Sequence, residues 1–272
     1  MAGGSKAGRA LVFAAVAVAP VPAFAQDEAR DFCADRPGLG TPACTLDPGR
    51  LQVELGLGDW TRAGDAAERS RAFVSGDLLL RLGIDPASEL QFGWTAYGRT
   101  RVRDRLTGAL ARDSGTGDIL LAFRHNLLNP DGSGASIAVQ PFVTLPTGGS
   151  AIGAGDWGAG VLLPFGFAVT DAASLSFTLS AEAAADADRD GRHAAFGGIA
   201  GIGIDLSDSV SGSLELGVTR DDDPAGKSTQ WLSGLSFGWQ PGTDWQIDAG
   251  ANLGLNRPAD DIEVYFGISR RF

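Results

Sequence analysis

Apolar and polar residues alternate with a period of two along most of this chain. Leu51, Val53, Leu55 and Leu57 interleave with Gln52, Glu54, Gly56 and Gly58. Ile262, Val264, Phe266 and Ile268 interleave with Glu263, Tyr265, Gly267 and Ser269. Successive side chains of a strand point to opposite faces, so the pattern predicts strands with one apolar face. Twelve such segments follow one another, at about 50–60, 71–84, 88–102, 116–128, 135–145, 156–169, 173–186, 193–206, 209–220, 229–240, 243–255 and 262–272. Their connections alternate in length. Short turns such as Asp85-Pro86-Ala87, Asp171-Ala172 and Pro241-Gly242 alternate with mostly longer, more polar stretches at 61–70, 103–115, 146–155, 187–192, 221–228 and 256–261.

Short turns at one end and long loops at the other describe an up-and-down antiparallel meander, the arrangement of transmembrane β-barrels of the bacterial outer membrane. An even strand number puts both termini on the periplasmic side. The apolar face decides between a soluble and a membrane fold. Leu175, Phe177, Leu179, Ala181 and Ala183 oppose Ser174, Ser176, Thr178, Ser180 and Glu182, and Trp245, Ile247, Ala249, Ala251 and Leu253 oppose Gln246, Asp248, Gly250 and Asn252. A lipid-facing apolar band over a wet lumen accounts for both faces, and closure removes sheet edges that lipid cannot satisfy. Trp60, Trp157, Trp231, Trp239 and Trp245 fall near strand ends, where an interfacial girdle belongs. The competing reading is a soluble β-sandwich with outward polar faces.

Composition narrows the class. There are 39 glycines in 272 residues, which disfavours a helical bundle. Two histidines and two cysteines leave little for a metal cluster, and a net charge of -11 argues against nucleic acid as a partner. Residues 1–25 read as a signal peptide: Lys6 and Arg9 open it, Leu11 to Ala19 is apolar, and Ala23-Phe24-Ala25 fits the cleavage rule. The expected organisation is therefore signal peptide 1–25, periplasmic N-terminal segment 26–49 and barrel 50–272. Export to an oxidising compartment makes a Cys33–Cys44 disulfide the default. Its role is either a staple on a periplasmic tail or a cap folded into the lower mouth of the barrel.

The lumen phase carries the candidate chemistry. Alternation points Asp77, Arg81, Arg99, Arg101, Asp118 and Arg124 inward from the second to fourth strands, and Glu54, Glu182, Glu215, Asp248 and Glu263 inward elsewhere. Bases thus gather on one wall, and acids dominate the other. Either they form salt bridges that fill the interior, or they line a water-filled constriction with a transverse field. Tyr97 and Tyr265 also point inward, placed to stack on aromatic solutes. Other motifs carry little. Asp186, Asp188, Asp190 and Gly191 begin like a calcium loop, but Gly197 stands where the glutamate belongs. Gly234-Leu235-Ser236-Phe237-Gly238 lies within a strand, not at an elbow, and Gly153 to Gly158 opens a strand, not a helix. His125 falls on the lipid-facing phase and His193 at an outer-loop edge, with no serine partner for either at strand spacing. No catalytic residue, cofactor or metal is expected.

Several stretches together resemble a known family: Asp35-Arg36-Pro37-Gly38 between Cys33 and Cys44, Leu46-Asp47-Pro48-Gly49 leading into Gln52 to Gly56, Leu145-Pro146-Thr147-Gly148, Gly155-Asp156-Trp157 with Leu163-Pro164, and Ser269-Arg270-Arg271-Phe272. The chain resembles the outer-membrane barrel transporters labelled "MetA-pathway of phenol degradation" over about residues 32–272. The resemblance implies a channel for passive passage of aromatic or other small molecules. It supplies no substrate and no catalytic residue. A closed structural or surface-interaction barrel is the alternative. Terminal Phe272, with Ile268, Phe266 and Val264 before it, resembles the signal read by the barrel-assembly machinery, and Arg270 departs from it. Outer-membrane lipids, lipopolysaccharide and a small-molecule solute complete the expected partners.

Overall fold

A computed structural model describes residues 30–272; the expected signal peptide lies outside the described residues. Thirteen strands follow one another: β1 (Leu51–Gly64), β2 (Glu68–Asp85), β3 (Ser88–Asp104), β4 (Leu110–Gly115), β5 (Ile119–Leu128), β6 (Ala135–Leu145), β7 (Gly158–Thr170), β8 (Ala173–Ala185), β9 (Arg192–Ser207), β10 (Val210–Asp221), β11 (Ser228–Gly242), β12 (Trp245–Gly254) and β13 (Ile262–Arg271). Neighbours pair antiparallel in chain order, and β1 pairs with β13, so the sheet closes on itself. β3 pairs with β5 at its periplasmic end and with β4 at its outer end, so β4 and β5 together occupy one wall position. Twelve wall positions result, as the alternation predicts, with β4 as an additional strand inside the expected loop 103–115.

The interior is inverted relative to a soluble protein. The largest fully buried side chains include Arg81, Arg124, Gln52, Glu54, Glu89 and Asp248, whereas leucines, phenylalanines and tryptophans line the exterior. Such a surface is stable against hydrocarbon, not water. The aromatic residues form two belts. Trp60 packs against Phe73 and Phe266, with centroids 5.1 and 5.9 Å apart, near the outer end; Trp239 meets Trp245 at 6.1 Å at a periplasmic turn.

One irregularity changes the expected facing. Leu57 is an extra residue of β1 against β13, where pairing passes from Gly56–Gly267 to Gly58–Phe266, and Gly76 of β2 turns at φ +71. A single inserted residue inverts every side chain beyond it. Below this kink Asp77 still faces the lumen, accepting a hydrogen bond from Thr95 Oγ1 at 2.8 Å. Above it Phe73 pairs with Arg99 and packs outside on Trp60, and Arg71 pairs with Arg101. Tyr97, Arg99 and Arg101 are therefore exposed on the outer face, contrary to the expected inward phase, while Gly98 between them is buried.

Candidate functional site

Residues 30–49 lie inside the barrel rather than hanging below it. Prolines at 37, 42 and 48 prevent them from forming a regular ladder, so their backbone N–H groups need other acceptors. Wall carboxylates serve. Glu54 accepts from the N–H groups of Asp35 and Arg36, both at 3.0 Å. Glu215 accepts from Leu39 and Gly40 at 2.7 and 2.9 Å, and Glu89 from Leu46 at 3.0 Å. Thr178 Oγ1 accepts from Thr41 N–H at 2.9 Å, and Asn126 Nδ2 donates to Ala43 O at 2.8 Å. The segment's fold is fixed further by the Cys33–Cys44 disulfide.

Charge pairs complete the attachment. Asp35 sits between Arg81 and Arg124, at 2.9 and 2.6 Å. Arg81 also meets Glu54 at 3.2 Å and Glu89 at 2.8 Å, and donates to Cys33 O at 2.7 Å. Burial alone would raise the Asp35 carboxyl, but Arg124 and Arg81 outweigh it and hold it below its ordinary value. Across the lumen Arg36 meets Asp248 at 3.0 Å and lies 5.5 Å from the Tyr265 ring centroid. A Cβ at Gly267 would fall 2.6 Å from Arg36 Nε, so that wall position must stay bare for the guanidinium to fit. Gly38 is held at φ +123 and a Cβ there would fall 2.6 Å from Glu215.

Of the residues expected inside, Glu54, Arg81, Arg124, Glu215, Asp248 and Tyr265 converge on this segment. Asp77 lies beside Gly56 in the lumen. Glu182, four residues outward of Thr178 on β8, is half-buried, and Glu263 accepts from Asn252 Nδ2 at 2.6 Å. Asp118 instead holds the β6–β7 loop, accepting from the N–H groups of Gly148 and Ala154, each at 2.7 Å. Sequence reasoning missed Asp35, Arg36, Glu89 and Arg271. Glu89 shares its phase with Gln91 and Gly93, a signal present in the alternation. Arg271, opposite in phase to Arg270, donates to Arg30 O at 2.7 Å and pairs with Asp244 at 3.0 Å. Arg270 stays outside, over the Phe272 ring.

The segment does not fill the barrel. A cavity of about 490 Å³ runs beside it, lined by Ala34, Pro37, Ser174, Ser213 and Ser236 among others. It shares Asp31, Asp205 and Ser211 with a periplasmic vestibule of about 1090 Å³. One expectation about the histidines fails: Ser88 Oγ lies 2.8 Å from His125 Nδ1, because the turn after β2 brings Ser88 opposite His125 in the β3–β5 ladder.

Residues 34–272 match the model of a protein family described as "Putative MetA-pathway of phenol degradation". The chain belongs to this family. A search of curated proteins returns no significant match. Among solved structures, the COG4313 outer membrane channel from Pseudomonas putida F1 is similar at a TM-score of 0.67 and 15% identity, covering 87% of this chain and 100% of that one. The NanC porin is similar at 0.51 and 8%, covering 81% and 98%. The translocator domain of the autotransporter NalP from Neisseria meningitidis is similar at 0.51 and 15%, covering 82% and 88%. These likenesses establish the membrane-barrel fold. A channel, a porin and a translocator share it, so the role of this family member must be argued from its own lumen.

Proposed function

We propose that this protein is an outer-membrane channel for passive passage of small molecules, with residues 30–49 forming its constriction. The observation that carries the reading is the polar cavity beside the segment, which shares wall residues with the periplasmic vestibule. Walls of serine, glycine and isolated charges suit small polar or amphipathic solutes, and the family label favours aromatic ones. Wall carboxylates grip the segment by hydrogen bonds, which exchange readily with water. Phe272 and its strand serve recognition by the assembly machinery, and outer-leaflet lipopolysaccharide surrounds the outer rim.

The role proposed is not enzymatic. The Ser88–His125 pair sits at a periplasmic turn, away from the cavity beside the segment. A closed structural barrel is the second reading, favoured by the fully buried Arg81–Glu54–Glu89 cluster beneath Asp35. Planar-bilayer recordings decide between them. The channel reading expects small conductance from the intact protein and a several-fold larger one after deletion of residues 30–46. A deletion protein that folds and stays electrically silent overturns it.

A further inference from the structure

The outer ends of β1–β4 carry arginines in register. Arg62 pairs with Arg71, Arg71 with Arg101, and Arg101 with Arg112. Directly opposed residues of antiparallel strands share a face, so four guanidinium groups stand in one row across four adjacent strands, about 14 Å wide at about 4.8 Å per strand. Arg69, opposite Arg103, begins a second row one step outward. Like charges set opposite one another destabilise a sheet, so the row calls for an anion. The chain supplies little. Arg62 meets Asp261 at 3.5 Å with both side chains half exposed, and Arg71, Arg101 and Arg112 have no ion-pair partner among the described residues. Arg69 Nε is buried without a hydrogen-bond partner.

The row's level in the wall identifies the anion. It faces outward, on the same phase as Trp60 and Phe73, which pack together on the lipid face. Arg62 and Arg71 lie two residues beyond that pair, about 6–7 Å further along the strands. They stand just outside the aromatic belt, at the end opposite Arg30 and Phe272, where outer-leaflet headgroups begin. In a chain of net charge -11 this is a local reversal of sign. Arginine forks match phosphate oxygens two at a time. We propose that the row Arg62–Arg71–Arg101–Arg112 binds the phosphate groups of lipopolysaccharide on the outer face of the barrel. The inference rests on the outer-membrane placement and not on permeation.

The test is lipid A binding to the delipidated, detergent-solubilised full-length protein, read by native mass spectrometry. The R71Q/R101Q/R112Q variant should bind lipid A at least 10-fold more weakly, and the matching lysine variant should lose less. Dephosphorylated lipid A should bind the unaltered protein as weakly as lipid A binds the glutamine variant. R101Q alone, with a several-fold loss, serves where the triple variant does not fold, as judged by heat-dependent gel mobility. R220Q/K227Q, on the far side of the mouth, should bind normally. Equal binding by the unaltered and folded glutamine proteins overturns the proposal. So does indifference to dephosphorylation, or displacement of bound lipid A by millimolar inorganic phosphate, which would mark a small-anion site. Conductance recorded on the same preparations tests the channel reading separately.

Discussion

The seat of Leu39 and Gly40 on Glu215 is the contact whose loss should open the lumen first. Glu215 is almost fully buried and its two oxygens accept from two consecutive backbone N–H groups at 2.7 and 2.9 Å. A hydrogen bond to a charged group contributes about 1.5–3 kcal/mol net. Two such bonds give about 3–6 kcal/mol, and hydration of the freed groups recovers part of this when they break. Glu215→Ala should therefore destabilise this part of the segment by about 2–4 kcal/mol, allowing for that rehydration. At about 1.4 kcal/mol per decade, hydrogen exchange at the Leu39 and Gly40 amides should accelerate about 30- to 1000-fold.

The effect should be local. Leu46 and Ala43 are held elsewhere, by Glu89 and Asn126, and Asp35 by two arginines. Exchange at Leu46 should stay unchanged, and open-channel events should become more frequent in bilayers. Glu215→Gln, which keeps one acceptor oxygen, should fall between. The reasoning is refuted if Leu39 and Gly40 exchange at their original rate, or if the whole of residues 33–46 accelerates together.

The Asp35 carboxyl has a folded-state value below its ordinary 3.8, so its stabilisation is complete above that value and is lost as pH falls through the folded one. Conductance should rise as the pH falls below about 4, and Asp35→Asn should reduce the part of that rise that Asp35 contributes. Cys33→Ser/Cys44→Ser should loosen the segment by about 2–3 kcal/mol, seen as faster exchange across residues 33–44 with no change in barrel melting. Gly38→Ala meets both a left-handed backbone and the Glu215 carboxylate, so it should mimic Glu215→Ala in exchange and conductance.

The wall was legible because lipid on one side and water on the other impose alternation, and that alternation oriented Glu54, Arg81, Arg124, Glu215 and Asp248 correctly. It stopped being readable in two places, for two reasons. At Leu57 and Gly76 the chain inverts its phase, and glycines are so frequent along these strands that Gly56, Gly58 and Gly76 do not stand out as marking the step, so Tyr97, Arg99 and Arg101 were turned the wrong way. Beyond the lipid belt no apolar phase is required, so β2 begins earlier than the pattern shows and β4 is hidden among arginines and small residues. The position of residues 30–49 was harder still. An irregular segment has no period of its own. Its one trace lay in the wall, where Glu215 and Asp248 face inward opposite glycines, with no wall base across either ladder.

That trace bears on selectivity. A buried charge retained in a wall is balanced either by wall partners or by whatever occupies the lumen. Arg81 and Arg124 are balanced by Glu54, Glu89 and Asp35, whereas Glu215 is balanced by two peptide N–H groups and Asp248 by Arg36. Removing the segment withdraws Arg36 and those N–H groups but leaves every wall carboxylate. Inward acids then exceed inward bases, since Asp77, Glu182 and Glu263 lie on the same surface and Arg99 and Arg101 do not. A protein lacking residues 30–46 should therefore prefer cations, read as a shifted reversal potential in a salt gradient. Glu215→Gln/Asp248→Asn in that background should reduce the preference, and Arg99→Ala/Arg101→Ala should leave it unchanged. An anion-preferring deletion protein, or a reversal potential that follows Arg99 and Arg101, would place the governing charges on the other wall and refute this account of the lumen.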